Sequence, residues 1–264
     1  MRELTLEPVL TDEQVSALDN QFLSGEHCRE TITTSTVGRT PDGRIRLVFA
    51  RNVFTKAEQD ILEGNIGRIG YSAKQSNRAA VRGQEGTEAV WGFMEAGTFR
   101  PETGMTALTA KYIEKFINSL PFFEAVSANF LRYWPEAHSR QQRLAALVPD
   151  VIIPGTDFST LTINSDSLMT RAHTDNKNAV DTVSCLTTLG HFTGGHICLA
   201  RWGVLVENNP GSLLIADIRD ELHGNVGPVV GERIACIFYL RGGLLAETAT
   251  TSTARYQAEC GVKL

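Results

Sequence analysis

FSTLTIN (158–164), TVSCLTTL (182–189), HICLAR (196–201), GVLVE (203–207), SLLIADI (212–218) and ERIACIFYL (232–240) follow one another along the second half of the chain, separated by Gly, Asn and Pro. Each run is short, rich in β-branched and aromatic residues and bounded by turn formers, which is the pattern of strands. Many short strands joined in this way predict a jelly roll. The expected fold class is therefore α+β: a double-stranded β-helix of cupin-like form, with helices from the first half of the chain packed along one sheet.

Upstream of these runs the signals are more mixed. The first forty residues show no sustained periodicity, and TPDG at Thr40–Gly43 is a tight turn leading into the strand-like RIRLVFARNVF. Thr55 and Glu58 form a capping box, so a helix is expected from near Lys56 to Gly64 or Gly67. Residues 70–104 are rich in Gly, Ser, Asn and Arg with little periodicity, and are expected to form a loop, either ordered and functional or flexible. Two helical patterns follow, Leu108–Leu120 with Tyr112, Ile113, Phe116 and Ile117 on one face, and Phe122–Trp134. Pro121 should separate them and Pro135 should end the second. No fixed repeat and no linker is visible; the expected organisation is a support region of helices and strands over 1–135 and a catalytic β-helix core over 136–264, in one compact unit.

Composition narrows the class. With 264 residues, 42% hydrophobic and 21% charged, the chain has enough apolar material for a sizeable core. No run of about 18 apolar residues occurs, and the N-terminus MRELTLEPVLTDEQ lacks the apolar stretch of a signal peptide, so a soluble, intracellular protein with no membrane partner is expected. The five cysteines (28, 185, 198, 236 and 260) form no C-x-x-C pair and are expected to be reduced thiols, three of them in apolar runs. A net charge of −5 argues against a basic coat, yet residues 44–143 hold 14 Lys/Arg against 10 Asp/Glu, leaving 11 against 20 for the rest. If a polyanion binds, that stretch should carry much of the contact.

The chemistry lies in four residues. His173 and Asp175 are two apart at a strand edge, so both side chains can leave one face and converge on an ion. His223 follows 48 residues later, after four strand-like runs. Two histidines and a carboxylate make a facial triad, whose open positions suit Fe(II) with a bidentate co-substrate and O2. Arg233 sits inside the apolar run ERIACIFYL, where an unpaired guanidinium is costly to bury. Its planar fork matches the distal carboxylate of 2-oxoglutarate; the alternative is a strand arginine paired with a nearby acid.

The order of H-x-D, LGHFTGGHICLARWG, NNPGSLLIADIRDELHGN and GERIACIFYL, over roughly Thr156 to Arg241, resembles the TET/JBP group of Fe(II)/2-oxoglutarate dioxygenases. That resemblance implies oxidation of the 5-methyl group of a pyrimidine in DNA, 5-methylcytosine to 5-hydroxymethylcytosine and beyond being one such reaction. It also implies a flipped target base, because a methyl in the major groove cannot reach a buried iron. It places Asn178, five residues after the first histidine, against the base, and Tyr239 where the base is stacked. Where animal members carry a histidine, two residues past that tyrosine, this chain has Arg241, which strand parity puts on one face with Arg233, Ala235, Ile237 and Tyr239. SNRAAVRG (76–83) resembles the Asn/Arg-rich loop of short microbial and phage members, which brings Arg78 and Arg82 toward the substrate.

Plainer roles stand beside these. Asn178 is equally a turn residue, Tyr239 equally sheet core, and Arg78 and Arg82 equally solvated loop charges. His191 and His196 are expected outside the ligand set. Asn164 in LTINSD, on the strand before the triad, is a candidate hydrogen-bond partner for the co-substrate. The alternative function is hydroxylation of a small molecule such as an amino acid or nucleoside, which the net charge favours; a non-catalytic jelly roll is the third reading, and an intact triad with Arg233 speaks against it.

Overall fold

The computed structural model describes residues 1–66, 69–97 and 102–247. In chain order the first half forms β1 (Arg2–Thr5), α1 (Asp12–Ala17), β2 (Glu30–Ile32), β3 (Thr36–Arg39), β4 (Ile45–Ala50), α2 (Lys56–Ile66), β5 (Tyr71–Ser72), β6 (Thr87–Met94) and β7 (Gly104–Met105). Helices α3 (Ala107–Lys111), α4 (Ile113–Tyr133) and α5 (Pro135–Ala145) come next. The remainder is β8 (Thr160–Ser165), β9 (Ser184–Leu199), β10 (Val204–Val206), β11 (Leu213–Ala216), β12 (His223–Tyr239) and α6 (Gly242–Glu247).

Two long antiparallel strands organise the jelly roll. The first part of β9 and the last part of β12 pair from Val229↔Gly194 to Phe238↔Cys185, and the strand order on either side is β5-β6-β8-β12-β9-β11-β4-β3-β1. Beyond an irregularity between Val226 and Val229, the other halves of the same two strands pair from Val226↔His196 to His223↔Leu199 and carry β10 and β2 at their edge. Each strand thus serves both layers. Gly194 and Gly195 permit the bend: both have positive φ, and a Cβ on Gly194 would lie 1.9 Å from the Pro228 carbonyl oxygen. Pairing also crosses residue 135, since β6 lies beside β8 and β4 beside β11.

Strand alternation divides the side chains between two environments. Leu161, Ile163, Cys185, Leu213, Ile215, Cys236 and Phe238 face helices α2 and α4 and pack with Leu62, Ile66, Phe116, Phe123, Val126 and Phe130. Leu47, Phe49, Leu186, Ile197, Leu199, Val204, Val206 and Leu214 fill the space between the layers. The helices therefore cover one sheet, as the sequence suggests.

Helix α2 begins as expected. Thr55 N donates to Glu58 Oε2 at 2.7 Å, and Glu58 N to Thr55 Oγ1 at 3.3 Å. Pro121, by contrast, separates nothing: α4 continues through it for 21 residues. The proline is exposed while Phe122 and Phe123 are fully buried, so the missing N–H falls on the solvent side and aromatic packing outweighs a cost of about 3 kcal/mol. Ile117 lies on that outer side too, 39% exposed, and not on the buried face expected of it. Pro135 ends α4 and opens α5, which the sequence had not revealed. The stretch 70–104 is ordered around the eight-residue strand β6, and its residues 98–101 lie outside the described ones. Among the described residues the four cysteines are free, with Cys28 Sγ 2.9 Å from Cys198 Sγ, and no helix is long and apolar enough to cross a membrane.

Candidate metal centre and active-site cavity

His173 and His223 are brought together by the backbone. Each donates its N–H to the other's carbonyl, at 2.9 and 3.0 Å, an antiparallel pair that leaves the two rings 4.4 Å apart. His173 Nε2 is 3.5 Å from Asp175 Oδ1, and the donor atoms of the three residues all lie within 4.8 Å of one another. Nδ1 of His173 donates to the Arg171 carbonyl at 2.7 Å and Nδ1 of His223 to the Glu221 carbonyl at 3.0 Å. Both rings are so held in the tautomer that keeps the Nε2 lone pair for a metal. Burial, with the His223 ring adding to it, pushes the His173 pKa down to about 4, so that ring is neutral and ready to ligate. Two imidazoles and one carboxylate are a donor set that fits Fe(II), and these three residues would hold it.

The cavity is about 510 Å³ and lies between the layers. It is lined by the triad and by Asn164, Asn178, Arg78, Arg233, Tyr239 and Arg241, while Arg82 is exposed on the loop and does not reach it. Arg233, Ala235, Ile237, Tyr239 and Arg241 all line it, and Cys236, of the other parity, borders it as well.

Arg233 is 2% exposed, and its Nε has no hydrogen-bond partner among the described residues. Nη1 meets only the Leu168 carbonyl at 3.5 Å, and the guanidinium lies 5.8 Å from the Phe192 ring centre. Burial holds its pKa down to about 10, opposed only by the Cys236 thiol and by no carboxylate among the described residues. A buried cation without a counter-charge is costly and calls for an anion from outside the chain. Gly195 keeps the space: a Cβ there would stand 3.1 Å from Arg233 Cδ. Asn164, opposite Ala235 on β8, is also buried, with Oδ1 unpartnered. The unpaired donor of Arg233 therefore fits a carboxylate co-substrate, while Asn164 Oδ1, an acceptor, calls for a donor instead.

The mouth is built differently. Arg241 is gripped by Glu95 through Nε and Oε2 and through Nη2 and Oε1, the latter at 2.8 Å, while Nη1 lies 3.5 Å from the Tyr239 hydroxyl. Burial opposes ionisation of Glu95, yet the Arg241 hydrogen bond and charge overcome it and its pKa lies below the ordinary carboxylate value. Arg78 is held likewise by Glu88 at 2.5 Å. Asn178 donates from Nδ2 to Ser184 Oγ at 2.9 Å, and Tyr239 is 7% exposed with its hydroxyl 3.4 Å from Thr162 Oγ1. His191 and His196 stand outside the ligand set.

Glu88 and Glu95 were not found from sequence, because β6 and its C-terminal edge were hidden in a Gly- and Arg-rich stretch; the run AVWGFM was the available signal. Asn208, buried with Oδ1 unpartnered at the cavity wall, gave no sequence signal.

The family model Tet_JBP, the oxygenase domain of the 2OGFeDO superfamily, matches residues 96–242, a span that contains the triad, Arg233, Tyr239 and Arg241. The chain belongs to the Tet_JBP family. Iron(II) and 2-oxoglutarate are the metal and co-substrate of that superfamily. Among Tet_JBP relatives, the thymine dioxygenase JBP1 of Leishmania major is 32% identical over 160 residues, which are 58% of this chain and 19% of that protein. JBP1 of Crithidia fasciculata is 31% identical over 146 residues, 53% of this chain and 18% of that protein. The chain thus matches about a fifth of the length of these curated relatives. The solved structure of NgTET1 in complex with 5mC DNA superposes with a TM-score of 0.62 at 15% identity, covering 92% of this chain and 89% of that one, and so shares the double-stranded β-helix fold.

Proposed function

We propose that this Tet_JBP chain hydroxylates the 5-methyl group of a pyrimidine base in DNA, using Fe(II), 2-oxoglutarate and O2. The observation that carries the reading is one cavity lined by the triad, by a buried Arg233 unpaired among the described residues, and by Tyr239, Asn178 and Arg241. Relatives named thymine dioxygenase and the shared fold with a structure holding 5mC DNA support the choice of substrate.

Within this reading each side chain has a task. His173, Asp175 and His223 hold the iron, their rings fixed by the Arg171 and Glu221 carbonyls. Arg233 pairs with the distal carboxylate of 2-oxoglutarate, and Asn164 donates to the co-substrate from Nδ2. When bound, the metal and co-substrate would supply the oxidising chemistry, O2 giving one oxygen atom to the C–H bond and the other to succinate as 2-oxoglutarate loses CO2. Tyr239 provides a flat face for a base that has left the stack, and Arg241, held rigid by Glu95, offers a fixed donor beside it.

Mass spectrometry of nucleosides from DNA containing 5-methylcytosine or thymine, incubated with protein, Fe(II), ascorbate and 2-oxoglutarate, tests the reading. A hydroxymethyl pyrimidine is expected. Hydroxylation of a free amino acid or nucleoside with DNA untouched would replace the proposal with the small-molecule alternative.

A further inference from the structure

Beside the cavity mouth runs an open groove of about 1020 Å³, lined by α5, α6 and the segment after the H-x-D pair. Groove and cavity share Asn176, Lys177 and Asn178, so the two lie side by side across that segment. Arg140 and Arg143 stand one turn apart on α5, both exposed, and Lys177 is exposed at the junction. Among the described residues neither arginine makes a salt bridge. Of the acids in the groove, Glu95 is committed to Arg241, and Asp181 remains. Leu147 and Val180 line the same groove, 66% and 61% exposed, and add apolar surface to a cationic trough.

This combination selects among occupants. A metabolite small enough for the cavity has no need of a trough twice that size outside it. The chain's own residues 248–264 carry Arg255 and Lys263 against Glu259, a charge that does not complement the groove. A nucleic-acid strand does: its phosphates meet the cations and its sugars and base edges meet the apolar side chains.

We propose that the groove is the track for the sugar–phosphate backbone of the DNA strand that delivers its base to the cavity, with Arg140, Arg143 and Lys177 as phosphate contacts. The proposal rests on the DNA reading above. It adds a binding surface, on α5, that touches neither metal nor co-substrate.

The test uses the full chain loaded with metal and 2-oxoglutarate, and fluorescence anisotropy of a labelled duplex bearing one 5-methylcytosine, over a series of salt concentrations. Arg140→Glu/Arg143→Glu should weaken binding at least about tenfold at low salt. Two lost phosphate contacts should make the slope of log affinity against log salt shallower by roughly 2. Arg140→Lys/Arg143→Lys should keep both affinity and slope, and thermal stabilisation by 2-oxoglutarate should be unchanged in both variants, which shows the cavity intact. Unchanged affinity and slope in the glutamate variant, lysine variants as weak as glutamate ones, or no binding of DNA by the wild type would each overturn the proposal. If the duplex is bound through the groove but no base is oxidised, the track stands and the substrate assignment falls. If bases are oxidised and the glutamate variant binds like wild type, the assignment stands and the track falls.

Discussion

Arg233 and Arg241 lie on the same face of one strand and its continuation, eight residues apart, in opposite electrostatic situations. Arg241 has Glu95 on two of its nitrogens. Arg233 is more deeply buried and has no carboxylate partner among the described residues. A fold that supplies a carboxylate for one arginine and withholds it from the other marks the second as a site completed by a ligand. The first is a fixed part of the wall. The same strand makes the same division across the sheet, since Phe238 packs among the aromatic residues under the helices while Arg233, Ala235 and Tyr239 line the cavity.

The comparison can be broken most severely at its common centre. His223→Ala removes one of only three protein donors and should reduce both bound iron, measured by elemental analysis, and succinate formation to background. Retained metal and turnover would move the centre elsewhere.

The two arginine environments should then respond with opposite sign. Arg233→Met removes a buried charge that has no counter-ion in the ligand-free protein, and should stabilise that form by about 1–4 kcal/mol, read as a raised melting temperature. Glu95→Gln strips Arg241 of its counter-charge and should destabilise by about 1–3 kcal/mol in the same assay. A loss of stability in Arg233→Met would mean that the guanidinium already has a partner within the chain.

A smaller effect distinguishes the mouth from the interior. Tyr239→Ala should weaken binding of DNA holding a methylated pyrimidine by about 1–3 kcal/mol, in a direct binding assay, because a stacking face is lost. Its affinity for 2-oxoglutarate should not change. If both affinities fall together, Tyr239 is supporting the cavity wall and not a base.

What was legible in the sequence follows from which interactions are local. The six apolar runs are seen because each strand's outer-layer residues, such as Leu161, Ile163, Leu213 and Ile215, are buried against helices whatever the site does. The triad and Arg233 are seen because spacing and an anomalous charge in an apolar run are themselves local. Thr160, Thr162 and Asn164 are buried polar residues on β8, and their alternation with Leu161 and Ile163 marks a polar-lined interior face. The acids that hold Arg78 and Arg241 were hidden, the second lying 146 residues from its partner, because nothing local couples a glutamate to a guanidinium so distant. β1, β2 and β3 were missed for a related reason: three or four residues at a sheet edge are placed by their neighbours and carry too little pattern of their own. Pro121 misled because the helix rule it invokes is a local cost, and Phe116, Phe122 and Phe123 outweigh it only once the sheet is in place.

The central claim is that the missing partner of Arg233 is the distal carboxylate of 2-oxoglutarate. Anaerobic calorimetric titration of 2-oxoglutarate into the Fe(II)-loaded wild type, Arg233→Met and Arg241→Met tests it directly. Loss of a charge-assisted bidentate pair should cost on the order of 2–4 kcal/mol, so Arg233→Met should bind roughly 30- to 1000-fold more weakly while Arg241→Met binds like wild type. Equal affinity in the wild type and Arg233→Met, or a larger loss in Arg241→Met, would contradict it.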